Sequence, residues 1–164
     1  MKQVDAGGAK NIVGVTPRHQ ANCLTKQRAL AFRGFGFLIW KIIPNVFRTM
    51  KYISTTHYAR GPTWGVLPNH RVVCSRASNA KTCTFTPFKY VRGSLVMVEV
   101  SSEGVVVGVN KQGKVLQRIG ITYRNPHGTG WKVIPMCMAI RHVSYDLGFL
   151  WAVSNSGLIF KCAV

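Results

Sequence analysis

The stretch GVNKQGKVLQRIG, residues 108–120, contains two short apolar runs joined by a polar connection. The runs are rich in β-branched residues, and the connection Asn110-Lys111-Gln112-Gly113 contains the Asn and Gly that tolerate the positive φ angles of tight turns. The stretch therefore predicts a β-hairpin. Whether this hairpin recurs decides the fold, because an internal repeat of tens of residues fixes the architecture of a chain.

The hairpin does recur, with a nearly constant period. Similar segments are PTWGVLPNHRVVCSR (62–76), FLWAVSNSGLIFKC (149–162) and, more faintly, NIVGVTPRHQANCLTK (11–26). A second motif has a similar period, because its leading aromatic residues Trp40, Phe88 and Trp131 are 48 and 43 residues apart. Two independent motifs with one period indicate true repeats. The aligned small residues of the hairpins, separated by 51, 43 and 44 residues, are Gly14, Gly65, Gly108 and Ala152.

Each repeat predicts four short strands, with apolar residues alternating along segments such as 95–100. A four-stranded sheet of this size cannot bury both faces alone and becomes stable by stacking on its neighbours around an axis. We therefore expect an all-β fold, a β-propeller of four-stranded antiparallel blades with about four repeats, in a closed or an open ring. The prediction is a single domain, 1–164, with repeats near 1–39 (partial), 40–87, 88–130 and 131–164.

Several motifs of the repeat resemble a known family. Trp-Lys-x-Ile-Pro, Trp-Gly-Val, Gly-x-Val-x-x-Arg-x-Gly-Ile and Asn-Pro-x-Gly-x-Gly-Trp resemble the tectonin-type β-propeller repeat, in particular that of fish-egg lectins. The resemblance is strongest over 86–164, clear over 40–78 and weak over 1–39. It implies a lectin of innate defence that binds microbial surface glycans of the N-acetylglucosamine or lipopolysaccharide type. It also implies a secreted, disulfide-bonded protein, and it leaves a bound calcium ion as an alternative to having no cofactor.

The charge of the chain is strongly unbalanced. Twenty-two Lys and Arg stand against four acids, giving a net charge of +18, and the basic residues are spread evenly along the sequence. Such a basic body favours anionic partners, although a solvated surface without a partner is the alternative. The acids are too few for paired-carboxylate hydrolysis, and no nucleophile elbow or phosphate-binding loop occurs. We therefore expect no enzyme.

Turn residues are the best ligand candidates, since a rigid propeller presents its connections at two rims. Asn and His side chains there offer the donors and acceptors that hydroxyl-rich ligands need, while a neighbouring Tyr and Arg add stacking and anion contacts. The alternative is that these residues only form turns. The four Trp residues are interpreted as packing between blades. The predicted carbohydrate-binding residues are Asn110, Tyr123, Arg124, Asn125, His127 and Asn155.

Five cysteines show no CxxC pair and no Cys/His cluster, so no metal site is predicted. Cys74 and Cys83 flank a polar turn, which makes a disulfide across a hairpin reasonable, and Cys137 with Cys162 would link two strands of the last repeat. Cys23 has no evident partner. The alternative is that all five are free thiols in a cytosolic protein.

No early segment has the features of a signal peptide, and the most apolar stretch, 34–40, is far shorter than the roughly 20 residues that span a bilayer. An extracellular location therefore follows from the resemblance alone. The leading hypothesis is a carbohydrate-binding lectin. The alternatives are an intracellular protein-interaction scaffold and, ranked last, a nucleic-acid-binding protein that acts through charge alone.

Overall fold

The computed structural model describes residues 1–8, 11–44, 49–56 and 61–163, which form short strands and one helix of six residues. Parts of the predicted repeat 40–87, at 45–48 and 57–60, lie outside the described residues. No helix in the described ranges is long and apolar enough to cross a membrane. The elements are β1 Gln3–Ala6, β2 Ile12–Val15, β3 Ala21–Leu24, α1 Lys26–Ala31, β4 Lys41–Ile42, β5 Tyr52–Thr55, β6 Thr63–Val66, β7 Arg71–Ser75, β8 Ser78–Asn79, β9 Thr84–Phe85, β10 Lys89–Ser94, β11 Met97–Val100, β12 Val106–Val109, β13 Val115–Ile119, β14 Gly130–Ile134, β15 Ile140–Asp146, β16 Phe149–Ser154 and β17 Ile159–Ala163.

The strands form four antiparallel sheets, which are arranged as the blades of a propeller. Sheet 1 has the order β1-β2-β3-β4, sheet 2 β5-β6-β7-β10, sheet 3 β11-β12-β13-β14 and sheet 4 β15-β16-β17, while β8 and β9 form a small separate hairpin. The all-β fold and the propeller of antiparallel blades are therefore confirmed. The fourth sheet has three strands in the part of the chain that the structure describes.

The sequence repeats and the sheets are offset by one strand. The strand that follows Trp40 or Phe88, or that contains Trp131, begins a sequence repeat, yet β4, β10 and β14 are the last, outermost strands of sheets 1, 2 and 3. Each of the last three sequence repeats therefore contains the outer strand of one sheet and the first three strands of the next. In these repeats the chain passes from one sheet to the next.

Two of the four predicted small residues, Gly65 and Gly108, are explained by a side chain that covers them. A Cβ atom on Gly65 would lie 2.7 Å from the sulfur of Met50, and one on Gly108 would lie 2.6 Å from Leu95. Met50 and Leu95 each stand two residues before the first strand of their sheet, where the incoming chain crosses the second strand. Only a residue without a side chain leaves room for this crossing.

Apolar side chains fill the spaces between successive sheets. Val13 and Cys23 of sheet 1 pack on Ile53 of sheet 2, and Trp64 of sheet 2 packs with Val98 of sheet 3 in a second cluster. A third cluster joins strands β12 and β15 of sheets 3 and 4. Because side chains alternate along a strand, each middle sheet contributes to two of these clusters.

A hydrogen bond links each of the first three sheets to the next. His19, His70 and Gly113 occupy the same turn position after the second strand, and all three have positive φ angles. Their carbonyl oxygens accept hydrogen bonds from the backbone N–H groups of Met50 (2.6 Å), Leu95 (2.9 Å) and Ile140 (2.9 Å). The left-handed turn thus presents its carbonyl to the segment that leads into the next sheet.

The predicted disulfide pairs are wrong. Cys83 is bonded to Cys23, with the two Cα atoms 5.8 Å apart, and this bond joins sheet 1 to the separate β8–β9 hairpin that follows β7. Cys74 is unavailable to Cys83 because it points into the cluster between sheets 2 and 3, whereas Cys83 belongs to the cluster between sheets 1 and 2. Cys74, Cys137 and Cys162 are free thiols, of which Cys137 is exposed.

Candidate functional site

The topology gives the propeller two different rims. The connections between the first and second strands and between the third and fourth strands, such as 101–105 and 120–129, lie on one side, which we call the cavity rim. The turns between the second and third strands, such as 110–114 and 155–158, lie on the opposite side, which we call the turn rim. This division follows because neighbouring strands are antiparallel.

The six predicted carbohydrate-binding residues are divided between these rims. Residues 123–125 and His127 lie in the connection 120–129 on the cavity rim, whereas Asn110 and Asn155 begin turns on the turn rim. The structure therefore brings four of the six into one connection and separates the other two from them. The six do not form one site.

Asn110 stabilises the turn in which it lies. Its side-chain oxygen accepts hydrogen bonds from the backbone N–H groups of Gln112 (3.0 Å) and Lys114 (2.9 Å), and this arrangement closes the predicted hairpin. Asn155 lies in a turn that is closed by a hydrogen bond from the backbone N–H of Gly157 to the carbonyl of Ser154 at 3.0 Å. Turn formation, the alternative interpretation of these two residues, is therefore present in the structure.

The connection 120–129 is held by side chains beneath it. The Arg118 guanidinium donates to the carbonyl of His127 at 2.7 Å, and it lies 5.1 Å from the centre of the Trp131 ring. Asn125 donates to the carbonyl of Gly128 at 3.1 Å. Tyr123, which is 96% exposed, stands on this fixed base together with exposed Arg124. The connection therefore offers an aromatic ring and a guanidinium to the solvent.

His127 has an unused polar atom within the same connection. Its Nε2 is buried and has no hydrogen-bond partner among the described residues. Burial, followed by the nearby positive charges of Lys89, Arg76 and Arg118, lowers the pKa of the His127 ring, although a hydrogen bond with the backbone of Cys74 opposes this effect. The ring is therefore kept neutral at physiological pH, and Nε2 can form a hydrogen bond without carrying a charge.

A polar cavity of about 170 Å³ lies beside the ends of the first strands, near the axis on the cavity rim. Carboxyl and hydroxyl groups dominate its lining, and they come from sheets 1, 3 and 4, with Thr55 added by sheet 2. Three of the four acids of this basic chain are found here. The polar side chains of the lining that bear on ligand binding are Asp5, Glu99, Ser101, Ser102, Ser144 and Asp146.

Hydrogen bonds within the protein orient the groups of the cavity. Asp5 accepts hydrogen bonds from the backbone N–H of Thr55 at 2.7 Å and from the Ser54 hydroxyl at 3.2 Å. The Ser102 hydroxyl donates to the Asp146 carboxylate. Two carboxylates therefore have fixed orientations and retain further acceptor positions.

Burial, with a contribution from the charge of Asp5, raises the pKa of Glu99 to about 8. Burial also raises the pKa of Asp5, although hydrogen bonds from Thr55 and Ser54 oppose this effect. Glu99 is thus protonated at neutral pH and acts there as a hydrogen-bond donor. Together with the neighbouring carboxylates and hydroxyls, it gives the cavity both donors and acceptors.

This cavity was not predicted from the sequence, although a signal for it exists there. Asp5, Ser54, Glu99 and Ser144 are equivalent residues of the four first strands, because each pairs with the residue before the aligned small residue. Three of them line the cavity. A polar residue at the same place in every first strand could therefore have indicated it.

No three His, Cys, Asp or Glu side chains in the described ranges converge on a point that could hold a metal ion. The acidic residues of the cavity therefore do not provide a three-carboxylate set for the calcium ion that the family resemblance left open.

The chain is similar to known proteins over nearly its whole length. The tectonin domain family matches residues 1–155. A fish-egg lectin of Cyprinus carpio is 35% identical over 162 residues, which cover 98% of this chain and 65% of that protein. The chain thus spans slightly less than two thirds of the length of that lectin.

Solved structures share the fold at low sequence identity. YCF48 from Cyanidioschyzon merolae has a TM-score of 0.66 at 13% identity, covering 97% of this chain and 49% of its own. Human WBSCR16 has a TM-score of 0.59 at 7% identity, with coverage of 95% and 45%. These similarities concern the fold alone. The family match, the identity with the carp lectin and the repeated four-stranded sheets together establish that the chain belongs to the tectonin family.

Proposed function

We propose that this protein is a non-enzymatic lectin that binds carbohydrate at the cavity rim. The observation that carries the proposal is the 35% identity with a fish-egg lectin along 98% of the chain. The cavity has the groups that bind a sugar. Its carboxylates accept hydrogen bonds from sugar hydroxyls, and its serine hydroxyls both donate hydrogen bonds to a sugar and accept them from it.

The cavity favours a small neutral sugar. Its volume of about 170 Å³ is small, which suits one sugar ring. Asp5 and Asp146 attract hydroxyl and amide donors and repel acidic sugars. An N-acetylglucosamine-type residue meets these requirements, because its ring carries hydroxyls and an amide N–H without a negative charge.

The exposed groups of the connection 120–129 lie on the same rim but outside the lining of the cavity, where they offer a second contact to a longer glycan. Tyr123 can stack on a second sugar of a chain, and Arg124 can pair with a phosphate of a glycan such as lipopolysaccharide. The net charge of +18 favours approach to anionic microbial surfaces. The Cys23–Cys83 bond supports an extracellular location, since disulfides persist in oxidising compartments, and a role in innate defence is part of the same proposal. Asn110 and Asn155, on the opposite rim, are not part of this site.

The variant Asp146→Ala tests the site, with Glu103→Ala as its control because Glu103 is the acid that does not line the cavity. Isothermal titration with N-acetylglucosamine oligomers should show affinity reduced about tenfold or more in Asp146→Ala, the usual effect of losing a charged hydrogen-bond partner. Glu103→Ala should bind like the parent protein. Equal affinity of all three proteins, or binding that raised salt abolishes without any sugar preference, would contradict the proposal.

A further inference from the structure

An apolar loop projects from the cavity rim of sheet 1. The connection between β3 and β4 contains α1 and then residues 32–39, Phe-Arg-Gly-Phe-Gly-Phe-Leu-Ile, which we call the aromatic loop. Phe35 is 93% exposed and Phe37 fully exposed, and Ile39 is also largely exposed. Large apolar side chains presented together to water commonly mark an interaction surface.

The aromatic loop stands on a fixed base. Arg28 of α1 donates to the carbonyl of Ile39 at 2.7 Å, so the two ends of the connection are tied together. The backbone N–H of Lys26 donates to the carbonyl of Ala80 at 2.9 Å, and the Cys23–Cys83 bond lies at the same junction with the β8–β9 hairpin. The exposed rings therefore belong to an anchored projection.

Glycines allow the tip to turn without covering its own aromatic rings. Gly34 and Gly36 have φ angles of 90° and 93°, and a Cβ atom on either would meet no protein atom within 4 Å beyond its chain neighbours. In the sequence Gly-Phe-Gly-Phe, the glycines next to Phe35 and Phe37 have no side chain that could cover the two rings. Burial of these rings must come from a partner.

The surroundings of the aromatic loop are positively charged. No Asp or Glu occurs between Asp5 and Glu99, whereas exposed Arg33 lies inside the loop and exposed Arg28 and Lys41 lie beside it. The protruding apolar tip can contact the acyl chains of an anionic bilayer, and the basic residues around it can contact the phosphate groups.

We propose that the aromatic loop inserts into anionic lipid bilayers and docks the cavity rim against the membrane surface. Leu30 and Ile39 accompany the Phe rings, and aliphatic side chains gain from contact with acyl chains but do not stack on nucleic-acid bases. This observation favours a bilayer over single-stranded nucleic acid. The docking requires no sugar, so it does not rest on the proposed lectin site.

Vesicle sedimentation tests the docking. The parent protein should bind vesicles that contain phosphatidylglycerol and should bind pure phosphatidylcholine vesicles much more weakly. The double variant Phe35→Ser/Phe37→Ser should bind at least about tenfold more weakly, because two exposed rings no longer enter the acyl region. Its matched control is Leu158→Ser/Ile159→Ser, which removes two exposed apolar side chains at the turn rim, where β17 begins, and should leave binding unchanged.

Two variants that each remove a positive charge, and a fluorescence measurement of insertion, complete the test. Arg33→Gln should weaken binding by about fivefold, whereas Lys111→Gln on the turn rim should leave it unchanged. The added indole in Phe37→Trp should shift its fluorescence to shorter wavelength when the anionic vesicles are added. All variants change exposed residues, and their thermal unfolding midpoints should match that of the parent protein.

Three results would overturn the proposal. The first is failure of the parent protein to bind the anionic vesicles. The second is equal vesicle binding by Phe35→Ser/Phe37→Ser and its control. The third is loss of single-stranded DNA binding, but not of vesicle binding, in the Phe variant, which would assign the loop to nucleic acid. The vesicles contain no glycan, so failure here leaves the sugar titration unaffected.

Discussion

Trp64 of sheet 2 and Trp151 of sheet 4 occupy the same repeat position and have opposite environments. Trp64 is 0% exposed, because sheet 3 covers it and Trp131 packs against it edge to face with ring centres 6.2 Å apart. Trp151 is 47% exposed on the outer face of sheet 4, beside Phe149 and Ile159. In a stacked repeat, burial therefore depends on the sheet that follows as much as on the residue itself.

The largest expected difference comes from truncating the two indoles. Trp64→Ala leaves a large cavity in the cluster between sheets 2 and 3, and we expect the free energy of unfolding to fall by about 3–5 kcal/mol. Trp151→Ala removes a ring that is half in solvent, and we expect a loss of less than about 1 kcal/mol. Urea denaturation of both variants measures the difference. Equal losses would mean that the face of sheet 4 is covered in solution.

The disulfide provides a second contrast between the two ends of the described chain. Cys23–Cys83 closes a span of 60 residues and joins sheet 1 to the β8–β9 hairpin, whereas Cys137 and Cys162 of the last repeat are free. The variant Cys23→Ser/Cys83→Ser should lose about 2–4 kcal/mol of unfolding free energy, and Cys137→Ser should change it little. Thermal unfolding without reductant checks this expectation. A small effect in the double variant would show that packing alone holds sheet 1.

Glu99, beside the cavity near the axis, is largely buried but ionisable, and the stability of the protein should therefore depend on pH. Burial raises the pKa of Glu99 from an ordinary value of 4.5 to about 8, so folding favours the protonated form. The stability that this proton confers is complete below about pH 4.5 and is lost as pH rises through 8.

Glu99→Gln should remove this dependence and should raise the free energy of unfolding at pH 8 by about 2 kcal/mol. Urea denaturation at several pH values compares it with the parent protein, with Glu103→Gln as the control. An unchanged pH dependence in Glu99→Gln would show that another group is responsible.

The smallest expected effect lies on the open face. The ammonium of Lys161 is 3.9 Å from the centre of the Phe149 ring and 5.7 Å from that of Trp151. Because this contact is in water, Lys161→Ala should cost about 0.5 kcal/mol. In the Trp151→Ala background the substitution should cost less, and a double-mutant cycle measures that coupling. Additive effects would mean that the indole takes no part in the contact.

The fold was predictable because its determinants are local and repeated. Period, strand number and the aligned small residues are visible in the sequence, and Gly65 and Gly108 are small for a reason that recurs in two sheets. The one-strand offset was not predictable in this way, since a period does not say where a sheet begins.

The site was less predictable because it depends on which side of a sheet or rim a residue occupies. Asn110 and Asn125 are separated by a single strand, which places them on opposite rims. Cys74 is close to Cys83 in sequence but faces a different cluster, and Cys23 reaches Cys83 only after sheets 1 and 2 pack. Such pairings can be predicted only when the arrangement of whole sheets is known.

The residue two positions before the first strand of a sheet also determines how readily that sheet is oxidised. Two residues before the first strands of sheets 1, 2 and 4 stand Met1, Met50 and Met138, of which Met1 and Met138 are exposed whereas Met50 is fully buried. Conversion to the sulfoxide makes this side chain polar. Peroxide should therefore reach the outer sheets first, and the thioether against Gly65 should react only after sheet 2 has opened.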